Sequence, residues 1–206
     1  MAAILSGSFF DDPTVDADGT TVDFARLFYE AGRDAGASPY FLASRSLQEM
    51  GRTGTPLSFG TVPGHEGYFN YFNIGSLPDP SVPNGAQING ALFAQYGWLP
   101  AEAELTAAER AILLPWTTRA LAVRGGSRHI ASRYIAVGQD TQYLQKFDLI
   151  PDTGLYTHQY MQNLLAPRNE SRRMFRAYRA TGLLDVPFAF RIPVFEAMPD
   201  APAPEP

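Results

Sequence analysis

One carboxylate in this chain stands where chemistry could be asked of it. Residues 38–51 read Ser38-Pro39-Tyr40-Phe41-Leu42-Ala43-Ser44-Arg45-Ser46-Leu47-Gln48-Glu49-Met50-Gly51. Ser38 is a good N-cap, Pro39 a good first helical residue and Gly51 a left-handed stop, so the spacing predicts a short helix with Glu49 in its last turn. Carboxylates are disfavoured at that end, where unpaired carbonyls carry partial negative charge. A Glu held there and partly buried is expected to keep its proton to a higher pH than usual. It could then hand that proton to a departing oxygen, which is what cleavage of a glycosidic bond requires. The same spacing also describes a solvated Glu paired with Arg45 one turn back, the commoner fate of a helix-end Glu.

The segment that follows is dense in aromatics: Gly64-His65-Glu66-Gly67-Tyr68-Phe69-Asn70-Tyr71-Phe72-Asn73-Ile74-Gly75. Phe69 and Ile74 read as core. Tyr71 and Asn73 carry polar handles that suit the mixed faces of a sugar better than a dry interior. Other chemistries fare poorly. His65, His129 and His158 are scattered without ligand spacing, each reading as a surface or loop residue, so no metal site is expected and no cofactor. Neither a G-x-S-x-G elbow nor a P-loop is present.

The run Ser44-Arg45-Ser46-Leu47-Gln48-Glu49-Met50-Gly51 with the aromatic segment resembles the bacterial N-acetylglucosaminidase domain of glycoside hydrolase family seventy-three. The likeness continues, in order, through Pro115-Trp116-Thr117, Gly125-Gly126-Ser127, Tyr134, and Gly138-Gln139-Asp140-Thr141-Gln142-Tyr143-Leu144-Gln145-Lys146-Phe147. It extends to Tyr160-Met161-Gln162-Asn163 and Ile192-Pro193-Val194-Phe195-Glu196-Ala197-Met198-Pro199. The resemblance implies a mainly α (α+β), lysozyme-like fold with a small β/loop lobe beside the cleft. It implies hydrolysis of the bond after GlcNAc in peptidoglycan glycan strands, outside the cell at the wall, with Glu49 as the general acid. Glu66 is the second carboxylate candidate by the same likeness, with Asp140, Asp148 and Asp152 weaker. Tyr71, Phe72, Asn73, Trp116 and Tyr143 are the implied substrate contacts. If the substrate's own acetamide replaces a second carboxylate, Tyr71 or Tyr143 would stabilise charge or orient it. A lytic transglycosylase on a similar fold, or a glycan-binding module without turnover, are the alternatives.

The elements must position these groups. A chain of 206 residues with 45% hydrophobic and 18% charged side chains can bury a sizeable core. Its formal net charge of -5 argues against nucleic acid and against attraction to an anionic wall. No apolar run reaches membrane-spanning length, and there is no Cys. Residues 1–10 lack a basic start and a long apolar core, so no secretory signal opens the chain; an excised domain or another export route is expected. Residues 1–19 read as a leading loop, 20–199 as the catalytic domain and 200–206 as a Pro-rich linker. Helices are predicted over 21–35, 39–50, 86–96, 106–113, 118–137, 140–147, 157–165 and 168–181, and an extended segment over 188–195. The connection 52–67, long enough to be functional, is where a lysozyme-like hairpin is expected. On the last of these helices, 168–181, Arg172, Arg173, Arg176 and Arg179 read as a solvated face.

Overall fold

A computed structural model describes residues 1–160, 163–180, 182, 184–187, 194 and 196–197. The expected extended segment over 188–195 and the Pro-rich linker over 200–206 fall almost wholly outside the described residues. Contacts divide the chain into two compact units, Met1–Ala136 and Val137–Pro206.

The first unit is built from helices α1 (Ala2–Leu5), α2 (Phe24–Ala35), α3 (Pro39–Met50), α4 (Pro56–Phe59), α5 (Gly85–Tyr96), α6 (Ala107–Ala111) and α7 (Arg119–Ile130). A two-stranded antiparallel sheet, β1 (Thr14–Val15) and β2 (Thr21–Val22), lies between α1 and α2 and pairs Thr14 with Val22 and Val15 with Thr21. Its position corrects the expected hairpin at residues 52–67, where a single helical turn, α4, stands instead. β-Branched Thr21 and Val22 go to the strand, so α2 starts later than predicted and is capped by Asp23, which accepts from the Arg26 N–H. The leading residues are not peripheral either: Leu5 and Phe10 are buried in the main core.

α2 packs against α3 and α7. Its apolar stripe of Phe24, Leu27, Phe28 and Ala31 is buried, as the period of these residues requires. Gly32 makes the close approach to α3 possible, since a Cβ there would stand 2.8 Å from Pro39. α7 is capped by Thr118, one residue later than predicted, and passes into a π-helical segment at Ala131–Ile135. The paired glycines of α7 admit aromatic rings rather than another helix. A Cβ on Gly125 would sit 2.2 Å from the Trp116 indole nitrogen, and one on Gly126 2.3 Å from the Phe72 ring.

The link from sheet to helix is electrostatic. Buried Asp16 accepts from the N–H groups of Arg119 (2.9 Å) and Ala120 (3.1 Å) at the start of α7, and the Arg119 guanidinium lies 3.5 Å away. A carboxylate at a helix N-terminus answers both its unpaired donors and its dipole.

The second unit contains α8 (Gln142–Phe147), a 3-10 turn at Pro151–Thr153 and α9 (Ala166–Ala180). The predicted helix over 157–165 does not form in its described residues. Asp148, fully buried and in the left-handed region, instead staples this stretch as a loop, its carboxylate taking the N–H groups of Thr157 (2.9 Å) and His158 (2.6 Å).

Candidate active site

Ser38 accepts from the Phe41 N–H, Pro39 opens α3, and Gly51 stops it with φ 69°. The helix therefore has the limits its capping residues dictate. Its buried side is Leu42, Ala43, Arg45, Ser46 and Met50, while Tyr40 is exposed. Glu49 is half-buried in the last turn.

The segment after it is irregular backbone held by a few polar groups. Buried Asn70 donates to the carbonyls of Ile74 (2.8 Å) and Gly90 (3.0 Å), and its own oxygen accepts from the N–H groups of Phe72 (3.3 Å) and Ile74 (3.2 Å). One side chain thus closes the turn and ties it to α5. Ser46 donates to the Tyr71 carbonyl at 2.9 Å, tying the same turn to α3. Between these anchors Asn73 takes a left-handed conformation, φ 51°, which Asn adopts more readily than most residues. Its amide donates at 3.1 Å to the Glu49 carbonyl and at 3.1 Å to the Glu49 carboxyl oxygen Oε2. Backbone and side chain of Glu49 are gripped together.

Glu49 and Asn73 are the two anticipated site residues that the structure brings together. Glu66 is exposed in a turn closed by Gly67 N–H to the Gly60 carbonyl (2.9 Å). It accepts from the Gly64 N–H at 3.1 Å. Hydrogen bonds from its own and the Gly64 N–H hold its carboxyl below the usual carboxylate range. Beside it His65 meets Gln95 of α5, Nδ1 to Nε2 at 2.7 Å, and a Gln nitrogen can only donate, so Nδ1 accepts.

Three anticipated sugar contacts are placed elsewhere. Tyr71 is fully buried in an aromatic cluster with Phe10 and Phe24, its hydroxyl donating to the Ser58 carbonyl at 3.0 Å. Burial pushes that hydroxyl far above its ordinary pKa. The polar handle that suggested a sugar is satisfied inside the fold. Phe72 fills the notch at Gly126, and Trp116 is fully buried with its indole N–H on the Ile112 carbonyl at 2.8 Å. The exposed indole is Trp98, set edge-on against Phe93. Tyr143 lies on α8 in the second unit, against Phe147. Asp148 is the loop staple already described. Sequence reasoning missed Asn70 and Ser46, whose importance comes from partners 20 and 25 residues away. His129, expected at the surface, is largely buried against Phe93, and burial lowers its pKa to about 4. Among the described residues no cluster of three potential metal ligands occurs.

This is a mainly α, lysozyme-like fold with a small sheet. No family model matches the chain. It is 25% identical over 178 residues to the bifunctional autolysin of Staphylococcus epidermidis, an alignment covering 82% of this chain and 11% of that protein. The chain thus spans about a tenth of the length of the curated relatives it matches. Among solved structures, the Major Bifunctional Autolysin superposes with a TM-score of 0.50 at 20% identity, covering 88% of this chain and 61% of that one. Autolysin E of S. aureus gives 0.54 at 21% identity over 88% of this chain and 65% of its own. Autolysin E in complex with the muropeptide NAM-L-Ala-D-iGlu gives 0.55 at 19%, covering 87% and 65%. The resemblance to family seventy-three glucosaminidase domains therefore holds at the level of the fold.

Proposed function

We propose that this chain is a peptidoglycan hydrolase, an N-acetylglucosaminidase that cleaves the GlcNAc-β-1,4-MurNAc bond of glycan strands at the cell wall, with Glu49 as general acid. The observation that carries the reading is the double grip of Asn73 on Glu49 at the C-terminal end of α3. A proton donor must be held at a fixed angle to the leaving oxygen, and a carboxyl bonded to the same amide as its own backbone has little freedom to swing. The autolysin fold supports the substrate class: Autolysin E has been crystallised as a catalytic mutant, a Glu replaced by Ala, with the disaccharide NAG-NAM, and with a muropeptide.

Glu66 takes the second role in this reading. Ionised and on a Gly-flanked turn, it helps to position water or sugar hydroxyls without being rigidly held. Substrate-assisted attack by the acetamide then supplies the nucleophile, and the leaving oxygen takes its proton from Glu49. The test is mass spectrometry of the products from purified peptidoglycan. Reducing-end GlcNAc is expected. Anhydro-MurNAc would make the chain a lytic transglycosylase, and intact strands a binding module.

A further inference from the structure

α9 carries Arg168, Arg172, Arg173, Arg176 and Arg179 against the single Glu170, in a chain whose formal net charge is -5. One side of the helix turns to α8, where Ser171 donates to the Gln142 side-chain oxygen at 3.3 Å and the Gln142 amide reaches the Met174 sulfur at 3.1 Å. Next to it Arg172, Phe175, Arg176 and Arg179 follow one another at helical spacing and, with Ser171, line one shallow hollow. All four are exposed, Phe175 at 53%.

Four arginines of the first unit are engaged with carboxylates: Arg26 and Arg124 with Glu30, Arg33 with Asp34, Arg119 with Asp16. Among the described residues, the guanidinium groups of Arg173, Arg176 and Arg179 have no hydrogen bond or ion pair. A merely solvated stripe has no use for an aromatic ring at its centre. A phospholipid surface would call for a broad apolar face, which one Phe among arginines does not supply.

We infer that this face docks the acidic peptide stems of the wall, a conclusion that rests on the peptidoglycan reading above. Guanidinium forks take carboxylates in pairs of parallel hydrogen bonds, and arginines one helical turn apart can meet successive carboxylates of a short peptide. Phe175 covers the apolar side chains between them. The positive charge is local, so the face works despite the negative balance of the whole chain.

The experiment is co-sedimentation of the full chain, carrying Glu49→Gln so that strands stay whole, with purified peptidoglycan either intact or stripped of its stems by an amidase. Replacing Arg172, Arg176 and Arg179 together by Gln should weaken binding to intact peptidoglycan by about tenfold or more. Phe175→Ala should weaken it in the same direction. The charge-matched control Arg26→Gln, Arg33→Gln, Arg110→Gln should stay within about twofold. On stem-free strands the two helix forms should bind alike. Equal binding of both to intact peptidoglycan overturns the inference. So does arginine-dependent binding that persists on stem-free strands, which would make the glycan or a wall phosphate polymer the occupant, or tighter binding to phosphatidylglycerol vesicles. If the wild-type chain releases no glycan product while stem binding follows the arginines, the hydrolase reading alone fails.

Discussion

At the scale of single residues, the site is an arrangement in which one amide restrains one acid. Glu49→Gln keeps the shape and loses the transferable proton, so turnover should fall about a thousandfold or more with the fold intact. Near wild-type product release by a folded variant would remove Glu49 from the mechanism. Asn73 can be tested without confusing bond and backbone. Asn73→Ala loses the amide and also strains the left-handed turn, at about 1 kcal/mol. Asn73→Gly loses the amide and relieves the turn. Both should lower kcat about tenfold or more with little change in KM, because a proton donor free to swing is misaligned for part of the time. Full activity in the glycine variant would show that the amide does not position Glu49. Glu66→Gln should cost less than Glu49→Gln. An equal loss would make Glu66 a true base or nucleophile, and rescue of Glu66→Ala by azide, through a glycosyl azide, would confirm that.

At the scale of elements, α3 was legible because every signal that defines it is local: Ser38, Pro39, Gly51 and the apolar residues between. The same holds for the stop of α2 at Gly36 and for the placement of α5. Tyr71 and Trp116 were misread because a tyrosine or tryptophan has the same composition in a core as in a cleft, and only its partner decides. Ser58 lies 13 residues from Tyr71, and Asp16 lies 103 from Arg119. Such pairings leave no period to read. The glycine pair of α7 marks where the Trp116 and Phe72 rings come close to the helix. Gly125→Ala tests it, since helix propensity alone would favour Ala by about 1 kcal/mol. Against that, the added Cβ meets the Ile112 carbonyl and the Trp116 indole nitrogen, both at 2.2 Å, and must displace their hydrogen bond. The net expectation is a destabilisation of about 3 kcal/mol, read from urea midpoints at unchanged m-value. A neutral or stabilising result would mean that the indole has room to shift. Asp16→Ala, which strips the start of α7 and leaves the Arg119 charge without its carboxylate, should cost a similar amount.

At the scale of the whole molecule, acid stability should be governed in separate windows by separate groups. His129 is largely buried on α7, its ring edge-on to Phe93 at 5.5 Å, and burial followed by the nearby Arg133 charge brings its pKa to about 4. In the unfolded chain it titrates near its ordinary value of about 6.5. Between these values the unfolded state binds the extra proton, so stability is intact above about 6.5 and declines as pH falls towards about 4. A shift of this size corresponds to about 3 kcal/mol once both limits are passed. Glu30 acts in the same direction but lower down. Hydrogen bonds from Arg26 and then Arg124 lower its pKa, so its contribution is lost only as pH falls below the ordinary carboxylate range. The interval just above that range therefore isolates the histidine. His129→Phe keeps an apolar ring against Phe93 and removes the titration. Urea midpoints for the two proteins should run parallel above about pH 7 and separate on acidification, the wild type falling first. If both lose stability along the same curve between about pH 6.5 and 4.5, His129 does not carry the acid sensitivity and its ring must be solvated enough to protonate in place.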